Sequence, residues 1–163
     1  MIIIEGPDGA GKTTVAERLG KLLGKEVKHA GGPPSEKEAE ERLVDIFNNP
    51  DRIFDRTVFT SDPIYGPICR GYVVLTREVL RGYLQKSTDL GALFIYCRPS
   101  NRVLQRSWEE NLSREKVHKP KDHVASVRSR YGEIVESYDC MFQEIEQMGG
   151  FVLRYQWRTL CAE

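Results

Sequence analysis

Long apolar runs are missing from this chain: nothing in its 163 residues approaches the roughly 18 consecutive apolar residues that a membrane-spanning helix requires. The opening Met1-Ile2-Ile3-Ile4 stops at Glu5, which marks it as a buried strand. Cysteine is sparse. Cys69, Cys97, Cys140 and Cys161 have neither metal-ligand nor redox spacing, and no secretory signal precedes them, so they read as reduced thiols of a cytosolic protein. There is no excess of charge of either sign, with 24 Lys and Arg against 24 Asp and Glu. That balance removes any global electrostatic reason to expect a nucleic-acid or membrane partner. His29, His118 and His123 show no ligand spacing, which argues against a histidine-held metal. No repeat or low-complexity segment is present, and the length suits one domain over 1–163, able to bury a core without disulfides.

What is present begins at the N-terminus. Gly6-Pro7-Asp8-Gly9-Ala10-Gly11-Lys12-Thr13 satisfies G-x-x-x-x-G-K-[ST] at every fixed position, after an apolar run and before a helical pattern. Glycines at 6, 9 and 11 free the backbone to curl its N–H groups around a phosphate. The helix that follows aims its positive end at the same point. Lys12 is expected to reach the β- and γ-phosphates of ATP, and the Thr13 hydroxyl to ligate Mg2+. The nucleotide-binding candidates are therefore Gly6, Asp8, Gly9, Ala10, Gly11, Lys12, Thr13 and Thr14.

Hydrophobic patterning supplies the rest of the architecture. Val15, Leu19, Leu22 and Leu23 recur at helical spacing up to Gly24, and 26–29 give a short strand followed by the loop Ala30-Gly31-Gly32-Pro33-Pro34. Ser35 and Glu38 form a capping box ahead of a helix burying Ala39, Leu43, Ile46 and Phe47. Ile53 and Phe54 lead to Asp55-Arg56 at a strand end, and the stretch from there to Gly71, with two prolines, reads as irregular. Residues 76–86 predict a helix with Val79, Leu80, Tyr83 and Leu84 inward; 91–97 predict a fully buried strand. Pro99 and Ser100 open a helix holding Val103, Leu104 and Trp108. Residues 109–123 hold almost no apolar residues and read as a mobile basic lid, one long helix with Val124 through Met148 along its face follows, and 151–157 close the chain as a strand. Alternating strands and helices predict an α/β protein, a three-layer α/β/α P-loop domain around a parallel sheet of about five strands.

Three features suggest an acceptor site. Asp55 would hold magnesium through a water, or take the proton of a hydroxyl acceptor, while Arg56 would clamp an acceptor phosphate. Arg70, Tyr65 and Phe59 are candidates for contact with the acceptor base or phosphate. Residues 98–130 carry nine Lys and Arg against four acids, and Arg106 and Arg114 are the candidate lid cations for the transferring phosphate, with Arg102, Lys116 and Lys119 behind them. The same stretch would be a DNA-binding groove if the acceptor lay in DNA, and binding would then weaken steeply with salt.

Taken together, GPDGAGKTT, the loop HAGGPP at 29–34, DRTVFTSDPIYGPICRG at 55–71 and IYCRPSNRVLQRS at 95–107 resemble the nucleoside monophosphate kinase superfamily. Within it the chain is most similar to the thymidylate kinase and deoxynucleoside kinase branch, in its short bacteriophage-type members. The resemblance implies a P-loop kinase using ATP and magnesium, with Asp8 near the acceptor sugar, a cytoplasmic location in a host cell if phage-encoded, and a homodimer. It implies a deoxynucleoside monophosphate such as dTMP or a modified pyrimidine nucleotide as acceptor; a nucleoside 5′-hydroxyl or a 5-hydroxymethyluracil base in DNA stays open beside it. A switch GTPase or nucleotide-dependent binding module is the remaining class, and it would want an N-K-x-D motif that the sequence lacks.

Overall fold

The computed structural model describes residues 1–114 and 121–157, and all of their side chains except those of 108, 111–114 and 121–123. Five parallel strands, β1 (Ile2–Glu5), β2 (Val27–His29), β3 (Ile53–Asp55), β4 (Leu93–Cys97) and β5 (Phe151–Tyr155), lie in the order β2-β3-β1-β4-β5. The helices are α1 (Lys12–Leu23), α2 (Glu36–Asn48), α3 (Val58–Tyr65), α4 (Arg77–Asp89), α5 (Asn101–Arg114), α6 (Lys121–Ser129) and α7 (Tyr131–Gln147). The period of two along each strand sends side chains alternately to two cores. Ile3, Phe54, Phe94 and Tyr96 pack under α2, α3, α4 and α7, whereas Ile4, Ile53, Ile95 and Cys97 pack under α1 and α5. This is a three-layer α/β/α P-loop fold. Among the described residues no helix is long and apolar enough to cross a membrane.

The sheet order decides where chemistry can occur. β1 and β3 are neighbours in register, Ile4 against Asp55, so the cradle after β1 and Asp55-Arg56 after β3 emerge side by side at the carboxyl edge of the sheet. The capping box forms as the sequence predicts, with the Ser35 hydroxyl accepting from the Glu38 amide and the Glu38 carboxylate accepting from the Ser35 amide.

Several expectations need correction. The face that α1 buries is Ala16 and Gly20, not Leu22 and Leu23, which lie exposed. Gly20 is required there because a Cβ would meet the Val27 side chain at 2.5 Å. Residues 58–70 are not irregular: α3 runs through Pro63 into a π turn, Gly66–Arg70. Pro63 removes one amide from the ladder, but burial of Val58, Ile64 and Tyr65, and an Asp62 carboxylate that binds Arg70 and the Val74 amide, override that loss. Val79 of α4 points outward, and buried Ser87 and Thr88 extend the inward face instead.

The closing helix is two helices. Ser129 turns its hydroxyl back onto the Ser126 carbonyl, and Arg130 leaves helical geometry to donate to the Ile68 carbonyl at 2.7 Å, so α7 starts afresh at Tyr131. The expected lid at 109–123 is helical at both ends, as α5 continues through 114 and α6 begins at 121. Residues 115–120, with Lys116, His118 and Lys119, lie outside the described residues, as do Cys161 and the side chain of Arg114.

Candidate active site

The cradle closes over the edge of β1. Gly6 has φ 147° and lies so close to β4 that a Cβ would meet the Cys97 carbonyl oxygen at 2.4 Å. Gly11, at φ 79°, caps α1 and lies against the Trp157 indole, 3.1 Å from where its Cβ would be. Both positions therefore exclude a side chain, and the loop is free to present its amides to an anion. Lys12 is buried, with Nζ donating to the Pro7 carbonyl at 2.7 Å across the loop. Burial, and then Arg56, lower its pKa to about 8.

At the mouth, the Thr13 hydroxyl donates to Asp55 Oδ2 at 2.7 Å, and His29 Nδ1 lies 2.9 Å from the same oxygen. Arg56, with φ 72°, is the one non-glycine residue at positive φ among the described residues. Left-handed backbone at such a residue is strained. The strain is held by the Arg56 amide donating to the Ile4 carbonyl at 3.0 Å and by an ion pair between its guanidinium and Asp8. The guanidinium also lies 5.2 Å over the Tyr65 ring, and its buried Nε finds no hydrogen-bond partner among the described residues. The guanidinium is only half-buried, with 24% of the side chain exposed, so its open edge can still meet an incoming anion.

Under the cradle sits a group that residue patterns did not single out. Glu5, fully buried, accepts from the Thr57 amide at 2.9 Å, from the Tyr138 hydroxyl at 3.1 Å and from the Thr60 hydroxyl. Burial pushes its pKa up, and Arg56 and the Thr60 and Thr57 donors oppose that. Glu5 thereby ties the end of β1 to the start of α3. Its only signal in sequence is an acid closing an apolar strand. Tyrosines brace Asp8 from above, since the Tyr131 hydroxyl donates to its carbonyl at 2.5 Å and its amide donates to the Tyr65 hydroxyl at 3.2 Å.

The remaining candidates divide. Tyr65 is at the cradle. Phe59 is not: it is 1% exposed and packs against Phe47, because α3 turns that face toward α2 and α4. Arg70 is paired with Asp62, close over Tyr72, inside the π turn. Arg106 pairs with Glu110 one turn along α5 at 2.9 Å, and Arg98 and Arg130 are joined to Asp139 and Glu133. The basic stretch is thus partly neutralised by its own neighbours.

On the far side of the cradle, a cavity of about 340 Å3 is bounded by Thr14, Arg18, Ser107, Tyr155 and Trp157. The Trp157 indole donates to the Ala10 carbonyl at 2.8 Å, so this wall is fastened to the loop itself. Nothing in sequence marks that contact, which depends on β5 lying beside β4. The residues fit a nucleotide and its metal: a cradle closed to Cβ atoms, a buried lysine, and a threonine hydroxyl beside a carboxylate. Among the described residues no group of three or more His, Cys, Asp or Glu side chains is placed to hold a metal ion.

The fold is nucleotide-kinase-like and is built around a P-loop. No family model matches the chain. The SPbeta prophage-derived protein YorR of Bacillus subtilis (strain 168) is 29% identical over 110 residues, 65% of this chain and 66% of that protein, so the alignment spans just under two thirds of YorR. The crystal structure of YorR in complex with phosphorylated GDP is similar at TM-score 0.64 and 25% identity, covering 96% of this chain and 84% of that one. Deoxyadenosine kinase from M. mycoides with bound dCTP shares the fold at TM-score 0.56 and 18% identity, covering 96% of this chain and 90% of that one.

Proposed function

We infer that this protein is an ATP-dependent kinase of a deoxynucleoside monophosphate, dTMP or a modified pyrimidine nucleotide. The observation that carries the reading is Arg56: a half-buried guanidinium on a strained backbone, with an unpaired Nε, held against Asp8 beside the phosphate cradle. A binding or switch module has no use for a second anion clamp facing the first. The similarity to YorR, whose structure holds phosphorylated GDP, supports a nucleotide ligand.

In this reading the donor base lies in the cavity beside Trp157 and Arg18, and the cradle amides and Lys12 hold the β- and γ-phosphates. Thr13, and Asp55 through a water, would hold magnesium, which when bound neutralises phosphate charge. Arg56 holds the acceptor phosphate in line with the donor. The bond between the γ-phosphorus and its bridging oxygen breaks as an acceptor phosphate oxygen bonds to that phosphorus, giving ADP and a nucleoside diphosphate. Arg106 and Arg114 would neutralise charge on the transferring group.

The test is ADP release with ATP and magnesium against dTMP, dUMP and 5-hydroxymethyl-dUMP, the matching nucleosides, and duplex DNA with and without hydroxymethyluracil. Turnover with a monophosphate is expected. Turnover confined to nucleosides or to hydroxymethylated DNA would overturn the acceptor assignment, move Asp55 to the role of base, and turn attention to residues 98–130 for DNA contacts.

A further inference from the structure

His29 ends β2 directly opposite Asp55 at the end of β3, and the Ala30 amide donates to the Asp55 carbonyl at 3.0 Å, so the two strand ends are locked in register. Residues opposite one another on neighbouring strands project to the same face. The His29 ring therefore meets the Asp55 carboxylate, Nδ1 to Oδ2 at 2.9 Å. An ionised carboxylate only accepts, so Nδ1 carries the proton. The side chain of Asp55 is 8% exposed and that of His29 is 45% exposed. The imidazole thus lies between solvent and a nearly buried carboxylate oxygen.

Both donors, the Thr13 hydroxyl and His29 Nδ1, fall on Oδ2; Oδ1 receives none among the described residues. One oxygen is anchored and the other is left open to a further donor. We propose that His29 is a positioning residue that fixes the Asp55 carboxylate, presenting Oδ1 to the hydration shell of the nucleotide-bound divalent cation. Thr13 can offer its lone pair to the cation while its O–H still donates to Oδ2, so His29 and Thr13 brace one carboxylate from a neighbouring strand and a helix. His29 also lines a cavity of about 60 Å3 with Arg42 and Arg56, so the brace borders the same cavity as the proposed acceptor clamp. Groups that hydrogen-bond a metal-binding side chain typically change metal affinity by about 10–100-fold when removed.

The inference rests on the nucleotide and metal site proposed above, and its test uses no acceptor and no turnover. Mn2+ affinity is measured by electron paramagnetic resonance on the full chain with the β,γ-imido analogue of ATP, for wild type, His29→Ala and His29→Asn. Affinity for the same analogue is measured in EDTA. The expected result is an Mn2+ affinity about 10-fold or more weaker in His29→Ala, unchanged metal-free nucleotide affinity, and recovery of most of the loss in His29→Asn, whose amide N–H can replace Nδ1–H. Unchanged Mn2+ affinity in His29→Ala overturns the proposal. So does equal loss of metal-free nucleotide binding, which would make His29 a general prop of the loop. Wild type that binds Mn2+ normally but phosphorylates no acceptor removes the kinase reading and leaves the His29 result standing; wild type that takes up no Mn2+ removes both.

Discussion

Replacing Glu5 by alanine tests how the cradle is supported from below. The change removes the acceptor of the Thr57 amide, at 2.9 Å, and of the Tyr138 hydroxyl, at 3.1 Å, both deep in the protein. Thr60 loses less, because its hydroxyl already lies 3.1 Å from the Thr57 carbonyl and can turn to it. The Gly6 amide also loses this acceptor, but its contact is long, at 3.3 Å; the Thr57 and Tyr138 donors, left without partners, cost about 1–3 kcal/mol each, or about 2–6 kcal/mol together. Release from burying a carboxylate whose pKa burial has raised offsets part of this. The expected net loss is about 2–4 kcal/mol, a large share of the roughly 5–15 kcal/mol that stabilises a typical domain. Urea denaturation followed by far-UV circular dichroism measures it. Glu5→Gln should lose less than about 1.5 kcal/mol, since the amide oxygen can still accept from Thr57 while Tyr138 rotates to accept from the amide nitrogen. Alanine within about 1 kcal/mol of wild type would refute the reasoning, because at least one of the two buried donors would then need another acceptor.

Other consequences follow from the same site. Lys12 is depressed to about 8, so its charge, and with it polyphosphate affinity, should fall as pH rises through 8; calorimetry of ATP-analogue binding in buffers of different ionisation enthalpy should show proton uptake near pH 8.5 and none at pH 6.5. Because the unfolded chain holds that proton up to a pKa near 10.5, burial of the charged lysine costs stability most fully below pH 8, and its contribution to stability rises between pH 8 and about 10.5. Arg56→Lys keeps charge but not the fork geometry, and should raise the acceptor KM by about 10-fold or more with smaller change in the ATP KM; equal effects on both substrates would count against the clamp. Gly6→Ala places a Cβ 2.4 Å from the Cys97 carbonyl at φ 147°, and should abolish nucleotide binding and lower the thermal midpoint, read by calorimetry.

Sequence alone determined the parts of this protein that are local. The cradle is legible because its glycines, lysine and threonine are consecutive, and the capping box at Ser35 because its partners are three residues apart. The strands were legible because short apolar runs bounded by breakers leave few alternatives, and the strand–helix alternation implied a parallel sheet. Burial faces were read less well: α1 turns Leu22 outward and needs Gly20 inward, which depends on how near Val27 approaches. Pattern also misread 58–70, where tertiary burial carries a helix through a proline.

Tertiary structure decided which groups meet. Tyr131 reaches Asp8 across 123 residues and Trp157 reaches Ala10 across 147, contacts set by the order β2-β3-β1-β4-β5 and invisible to any periodicity. Glu5 became a keystone, and Phe59 a core residue, only once α3 was seated against α2, α4 and α7. His29 shows the division most plainly. Its spacing in the chain carries no meaning, yet parallel pairing of two strand ends sets it against Asp55, because register fixes both the neighbour and the face to which each side chain points.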